Sequence, residues 1–165
     1  MRRIFAAMLA TFLGVASAHA QLKDSVTLEV VKYEALGKEV LKHRGKVVMI
    51  DIWGVNCVPC IAKFPHVVEL QRKYAKDGLV ILTVTLDAVD DKEDALKRLI
   101  QKKVPLTNFL LEDAATAQQK LRVEGVPAVY LFDRQGRWTL FPSAQVDKAD
   151  EKLVELLQEK TNSPR

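Results

Sequence analysis

Two stretches of the chain, Val47 to Trp53 and Leu79 to Leu86, are apolar or β-branched almost without interruption. Such runs mark central strands covered on both faces rather than strands with one wet side. Between them Ile61, Phe64, Val67, Val68, Leu70 and Tyr74 recur at helical spacing, which predicts an amphipathic helix over Ile61 to Ala75, ended by Asp77-Gly78. Upstream, the pattern gives a weaker strand from Val26 to Tyr33 and a short helix from Leu36 to His43, closed by the turn signal Gly45. Downstream it gives a charged helix Lys92 to Lys103, a short strand Asn108 to Leu111 and a helix Ala114 to Leu121. Ala128 to Phe132 and Arg137 to Phe141 flank Asp133-Arg134-Gln135-Gly136 and read as a β-hairpin. Lys148 to Lys160 forms the last helix, with Thr161 to Arg165 expected to fray.

No repeat, low-complexity tract or linker interrupts this alternation. The order implies one α/β domain, with parallel central strands and an antiparallel hairpin at one edge.

Cys57-Val58-Pro59-Cys60 is a C-x-x-C and holds both cysteines of the chain. It lies where a predicted strand hands over to a predicted helix. There the unpaired backbone N–H groups and the helix dipole stabilise an anion, so the first sulfur can be a thiolate near neutral pH. The second sulfur, one turn on, is close enough to close or resolve a disulfide. Pro59 suits an early helical position, which needs no N–H. A structural zinc site would want four ligands, and beyond the leader the chain offers the two cysteines, His43 and His66. An inert staple over so short a loop constrains the unfolded chain little. Redox chemistry is the favoured reading, with metal binding and an inert disulfide as alternatives.

The N-terminus bears on the compartment. Met1-Arg2-Arg3, an uncharged apolar stretch from Ile4 to Ala16, and Ala18-His19-Ala20 before Gln21 read as a secretory signal peptide over residues 1–20. The apolar stretch is shorter than the ~20 residues of a spanning helix. Residues 21–165 then form one exported domain, in an oxidising space where a cysteine pair holds a disulfide. The formal net charge is +4, but the leader carries two arginines and no acid. What remains is near neutral and gives no case for nucleic acid or an anionic membrane as partner.

Trp53-x-x-x-Cys57-x-x-Cys60, Pro65, and Gly125-Val126-Pro127 before a hydrophobic strand resemble the thioredoxin superfamily. The leader, the Val58-Pro59 dipeptide, Phe64-Pro65 and the extra strand and helix between Leu86 and Leu111 resemble its exported TlpA/ResA-type thiol-disulfide oxidoreductases. The resemblance covers nearly all of the chain after the leader. It implies a thioredoxin-like fold: a mixed sheet with helices on both faces. It further implies that Cys57 attacks, Cys60 resolves, and a cis-proline loop at Val126-Pro127 faces the pair and binds partners. Trp53 belongs to the same expected substrate-binding set, chiefly as packing beneath the site. Asp51 interrupts a run that reads as buried, where a carboxylate needs a partner or a raised pKa. It resembles the buried acid of thioredoxins that moves the proton of the resolving thiol. Asn56 replaces the aromatic residue common before the first cysteine, Lys63 stands where many TlpA/ResA-like sequences carry a glutamate, and Pro142 to Val146 lacks the usual glycine.

The resemblance to TlpA/ResA proteins implies disulfide reduction of exported proteins, apocytochromes c among the substrates. A membrane thiol protein would donate the electrons, with no cofactor, no metal, and no stable membrane insertion after leader cleavage. Two rivals stand beside it. One is a copper carrier using Cys57, Cys60 and His66. The other is a peroxiredoxin-type peroxidase, whose P-x-x-x-T-x-x-C pattern would need other residues than Ile50 and Gly54.

Overall fold

The computed structural model describes residues 26–159. The expected leader, the last residue of the expected final helix, Lys160, and the fraying end Thr161 to Arg165 lie outside the described residues. In chain order the elements are β1 (Glu29–Val31), α1 (Tyr33–Lys42), β2 (Val47–Trp53), α2 (Val58–Tyr74), β3 (Leu79–Thr85), α3 (Lys92–Lys102), β4 (Thr107–Leu111), α4 (Ala114–Lys120), β5 (Ala128–Phe132), β6 (Trp138–Phe141) and α5 (Val146–Gln158). The described strands make one sheet in the order β1-β4-β3-β2-β5-β6. β1, β4, β3 and β2 pair in parallel, whereas β5 runs antiparallel to both β2 and β6. This is the mixed α/β thioredoxin-like architecture.

β2 is buried at every position, as its unbroken apolar pattern requires. Its residues alternate between two cores. Val48, Ile50 and Ile52 pack with Leu36, Ala117 and Leu121 on the face covered by α1 and α4. Val47 and Met49 face Val67 and Leu70 of α2 and Leu153 of α5, and Trp53 joins Phe64 and, on α3, Leu99.

Element boundaries differ from expectation chiefly at helix starts. The edge strand β1 shrinks to Glu29–Val31, because Lys32 takes an extended N-cap conformation and starts α1 at Tyr33 rather than Leu36. α2 begins at Val58, ahead of the periodic stretch from Ile61, so the cysteine motif forms its first turn, in line with Pro59 as an early helical residue. The helix continues through Pro65. Gly78, at φ 89°, ends the turn after α2 in a left-handed conformation that suits glycine. Gly136, at φ 85°, does the same in the β5–β6 turn. No described helix is long and apolar enough to cross a membrane.

One buried polar network anchors β4. The Asn108 side chain donates to the carbonyls of Thr27, Val104 and Leu106 at 2.9, 3.2 and 2.8 Å and accepts from the Thr83 hydroxyl at 2.7 Å. Every polar atom of the side chain is satisfied, and strands β3 and β4 are tied to the segment leading into β1. Asn108→Ala leaves a buried hydroxyl and three carbonyls short of partners. It should lower the free energy of urea unfolding by about 3 kcal/mol, and a loss below about 0.5 kcal/mol would mark the network as a spectator.

Candidate active site

The site is built at the end of β2. After Trp53 the chain turns through Gly54, Val55 and Asn56 and enters α2 at Cys57, its N-cap residue. The Cys57 N–H donates to the Gly54 carbonyl at 3.0 Å, and the Cys60 N–H donates to the Cys57 sulfur at 3.3 Å. One of the donors that a helix start leaves free is thus aimed at Sγ of Cys57. The two cysteines are joined as a disulfide with their Cα atoms 5.3 Å apart. Cys57 is 9% exposed and Cys60 2%, so both are largely buried and Cys57 is the more accessible.

Asp87, which the sequence did not single out, holds this turn. Its Oδ2 accepts from the Val55 N–H at 2.8 Å and from the Thr85 hydroxyl. A Cβ at Gly54 would lie 3.3 Å from Asp87 Oδ1 and 3.7 Å from a Val126 methyl, so glycine permits the close approach of three segments. The only signal for Asp87 was its place just past the apolar run of β3.

The Val126-Pro127 bond is cis, as expected. Val126, partly buried, packs on the cluster that holds Cys57, Cys60, Trp53 and Phe64. Pro127 itself is buried, so the loop's surface beside the sulfurs comes from its backbone and from Val126. Trp53 corrects one expectation. At 0% exposure, with its ring edge-on to Phe64 at 5.0 Å, it has no surface to offer a partner and acts as packing beneath the cysteines. Val58, by contrast, is 77% exposed. With Asn56, Ile61, Arg98 and Lys102 it borders an open depression beside the motif. A deeper cavity of about 400 Å³, lined by Leu36, Val48, Tyr130 and Trp138, lies between α1 and the β5–β6 hairpin and touches neither cysteine.

Asp51 lies on the α2 side of β2, two residues before Trp53, and is 2% exposed. Burial raises its pKa from an ordinary 3.8 to about 6, against the pull of the Lys63 ammonium and with a smaller push from the Asp150 carboxylate. His66 Nε2 lies 2.6 Å from Asp150 Oδ2, so the third ligand of the copper reading is engaged with a carboxylate.

A family model described as thioredoxin-like matches residues 45–138. The chain belongs to the thioredoxin-like family. It is 26% identical over 139 residues to the thiol-disulfide oxidoreductase ResA of Bacillus thuringiensis subsp. konkukian, covering 84% of this chain and 78% of that one. It is 30% identical over 93 residues to the thiol:disulfide interchange protein DsbE of Pseudomonas aeruginosa, covering 56% of this chain and 48% of that one. Among solved structures, the thioredoxin domain of a thiol-disulfide oxidoreductase from Bacteroides vulgatus superposes with a TM-score of 0.59 at 23% identity, over 70% of this chain and 84% of that one. The chain is a thiol-disulfide oxidoreductase of the ResA/DsbE-like type, carrying one Cys-x-x-Cys pair.

The acidity of Asp51 has a consequence for stability. Between pH 3.8 and about 6 the folded chain keeps a proton that the unfolded chain has released. Stability therefore falls as pH rises through that window and stays at the lower level above it. Asp51→Asn is neutral throughout. It should raise the unfolding free energy at pH 7.5 by up to about 3 kcal/mol, at ~1.4 kcal/mol per pKa unit, and leave it nearly unchanged near pH 3.5. Urea unfolding at the two pH values checks this, and destabilisation at pH 7.5 would refute the burial argument.

Proposed function

We propose that this chain is an exported disulfide reductase, with Cys57 as attacking and Cys60 as resolving thiol. The observation that carries the reading is the Cys57 sulfur at the start of α2, accepting a backbone N–H and more exposed than its partner. In the reduced protein a Cys57 thiolate attacks one sulfur of a substrate disulfide. A mixed disulfide forms and the substrate's other sulfur leaves as a thiolate. Cys60 gives its proton to Asp51, attacks the Cys57 sulfur and expels the second substrate thiolate. The protein ends with the Cys57–Cys60 disulfide, and two electrons have passed to the substrate. Asp51 fits the proton step because a carboxylate with a pKa of about 6 is mostly ionised at pH 7 and still basic enough to take a proton.

Substrates on this reading are exported proteins, apocytochromes c among them, and a membrane thiol protein returns the electrons. The resemblance to TlpA/ResA proteins and the leader pattern of residues 1–20 support export to the periplasm or another extracytoplasmic space. An extended substrate segment pairs with the backbone at Val126-Pro127, a form of strand addition, while Val58 supplies apolar contact.

Two experiments test the reading. Brief alkylation of the reduced protein at pH 7 should modify Cys57 well before Cys60. Mixed disulfides trapped with Cys60→Ala should contain exported thiol proteins; a variant that traps none would end the assignment. In stopped-flow measurements, Asp51→Asn should slow resolution of a preformed mixed disulfide by about tenfold or more and leave attack by Cys57 nearly unchanged. Equal resolution rates from pH 6 to 9 would reduce Asp51 to a structural residue.

A further inference from the structure

Below the cysteine pair, β2, α2 and α5 contribute four buried polar side-chain atoms without a hydrogen-bond partner among the described residues: Asp51 Oδ2, Trp53 Nε1, Lys63 Nζ and Asp150 Oδ1. Lys63 is the unusual member. A lysine ordinarily lays its stem on the protein and sends its ammonium to water. Lys63 is only half-buried as a residue, yet its ammonium is shielded. A buried ammonium must be compensated by opposite charge.

Compensation comes without direct contact, since no hydrogen-bond partner reaches the ammonium among the described residues. Lys63 and His66, three residues apart, share one face of α2, and His66 engages Asp150 of α5. Asp51 feels the positive charge of Lys63 and the negative charge of Asp150 in opposite senses. Its neighbours in the sheet, Thr83 on β3 and Val129 on β5, carry no charge. The charged groups acting on Asp51 are therefore Lys63 from α2 and Asp150 from α5, with His66 acting through Asp150.

We propose that Lys63 and Asp150 are opposed positioning residues for Asp51. Lys63 keeps the buried carboxyl able to ionise, Asp150 holds that effect back, and their balance sets the pH range in which Cys60 can be activated. The proposal rests on the reading that Asp51 accepts the Cys60 proton. It also gives Lys63 a task that a glutamate in its place could not perform, since a second carboxylate there would add to the repulsion from Asp150.

The test follows the Asp51 carboxyl directly, by NMR of protein labelled with carboxyl-13C aspartate and assigned with Asp51→Asn. In Lys63→Met the titration midpoint should rise by about one pH unit or more. In Asp150→Asn it should fall, and the double variant should lie between. Lys63→Gln serves as a second substitution should Lys63→Met unfold. Midpoints that move in the same direction, or do not move, would overturn the proposal, since a merely structural role predicts no opposition of sign. The pH profile for resolving a preformed mixed disulfide is read in parallel. From a midpoint of about 6, a rise of one unit should slow resolution at pH 6 by about fivefold. If the midpoints divide as expected while the rates do not follow, the assignment of the proton step to Asp51 fails and the charge balance stands.

Discussion

The complete burial of β2 is the constraint on which the rest depends. A strand covered on both faces and paired on both edges cannot slip, because a shift of one residue would turn every side chain to the other face. β3 fixes its register in parallel from one side and β5 in antiparallel from the other. Asp51 and Trp53 are thereby directed to the α2 face, and the strand's last residue delivers the chain to the helix start where Cys57 sits. Any residue at position 51 is desolvated. That a carboxylate stands there is costly for the fold, and its acidity is the measurable trace of that cost.

The two cysteines share a turn of helix and one apolar cluster with Trp53, Phe64 and Leu99, but not the same exposure. Cys57 stands at the N-cap, where its sulfur accepts the Cys60 N–H, and Cys60 is the more deeply buried. On the reading proposed above, this asymmetry would order the chemistry, with the more accessible Cys57 sulfur meeting the partner and Cys60 finishing the reaction within the protein. Val126 packs on the cluster that holds both cysteines, and the hydrogen bond from the Val55 N–H to Asp87 ties the turn before Cys57 to the residue just past β3.

Local pattern carried most of the fold. β2 spans Val47–Trp53 and β5 spans Ala128–Phe132, matching their apolar runs, because a buried strand writes its limits directly into composition. The C-x-x-C and the cis Val126-Pro127 loop were legible for the same reason, since each is a short motif with its own backbone geometry. Contacts between distant positions were not. Val55 meets Asp87 across 32 residues and His66 meets Asp150 across 84, and neither pairing leaves a periodicity to read. Lys63 stood out only as a departure from related sequences, because nothing local tells whether a half-buried lysine turns its ammonium outward or in. Trp53 was legible as packing beneath the site, and its complete burial leaves it no surface for the substrate-binding set in which the resemblance placed it.

The sheet ends in short margins, with β1 of three residues on one side and β6 of four on the other. Each presents too few free backbone groups to template an added strand of any length. A thiol-handling protein is at risk from the extended chains it meets, which can stack onto any open ladder and stay there. Narrow margins leave little purchase for such adhesion. On the proposed reading, an unfolded chain is then held by the bond made at Cys57 and the short pairing at Val126-Pro127, and is released when that bond is exchanged.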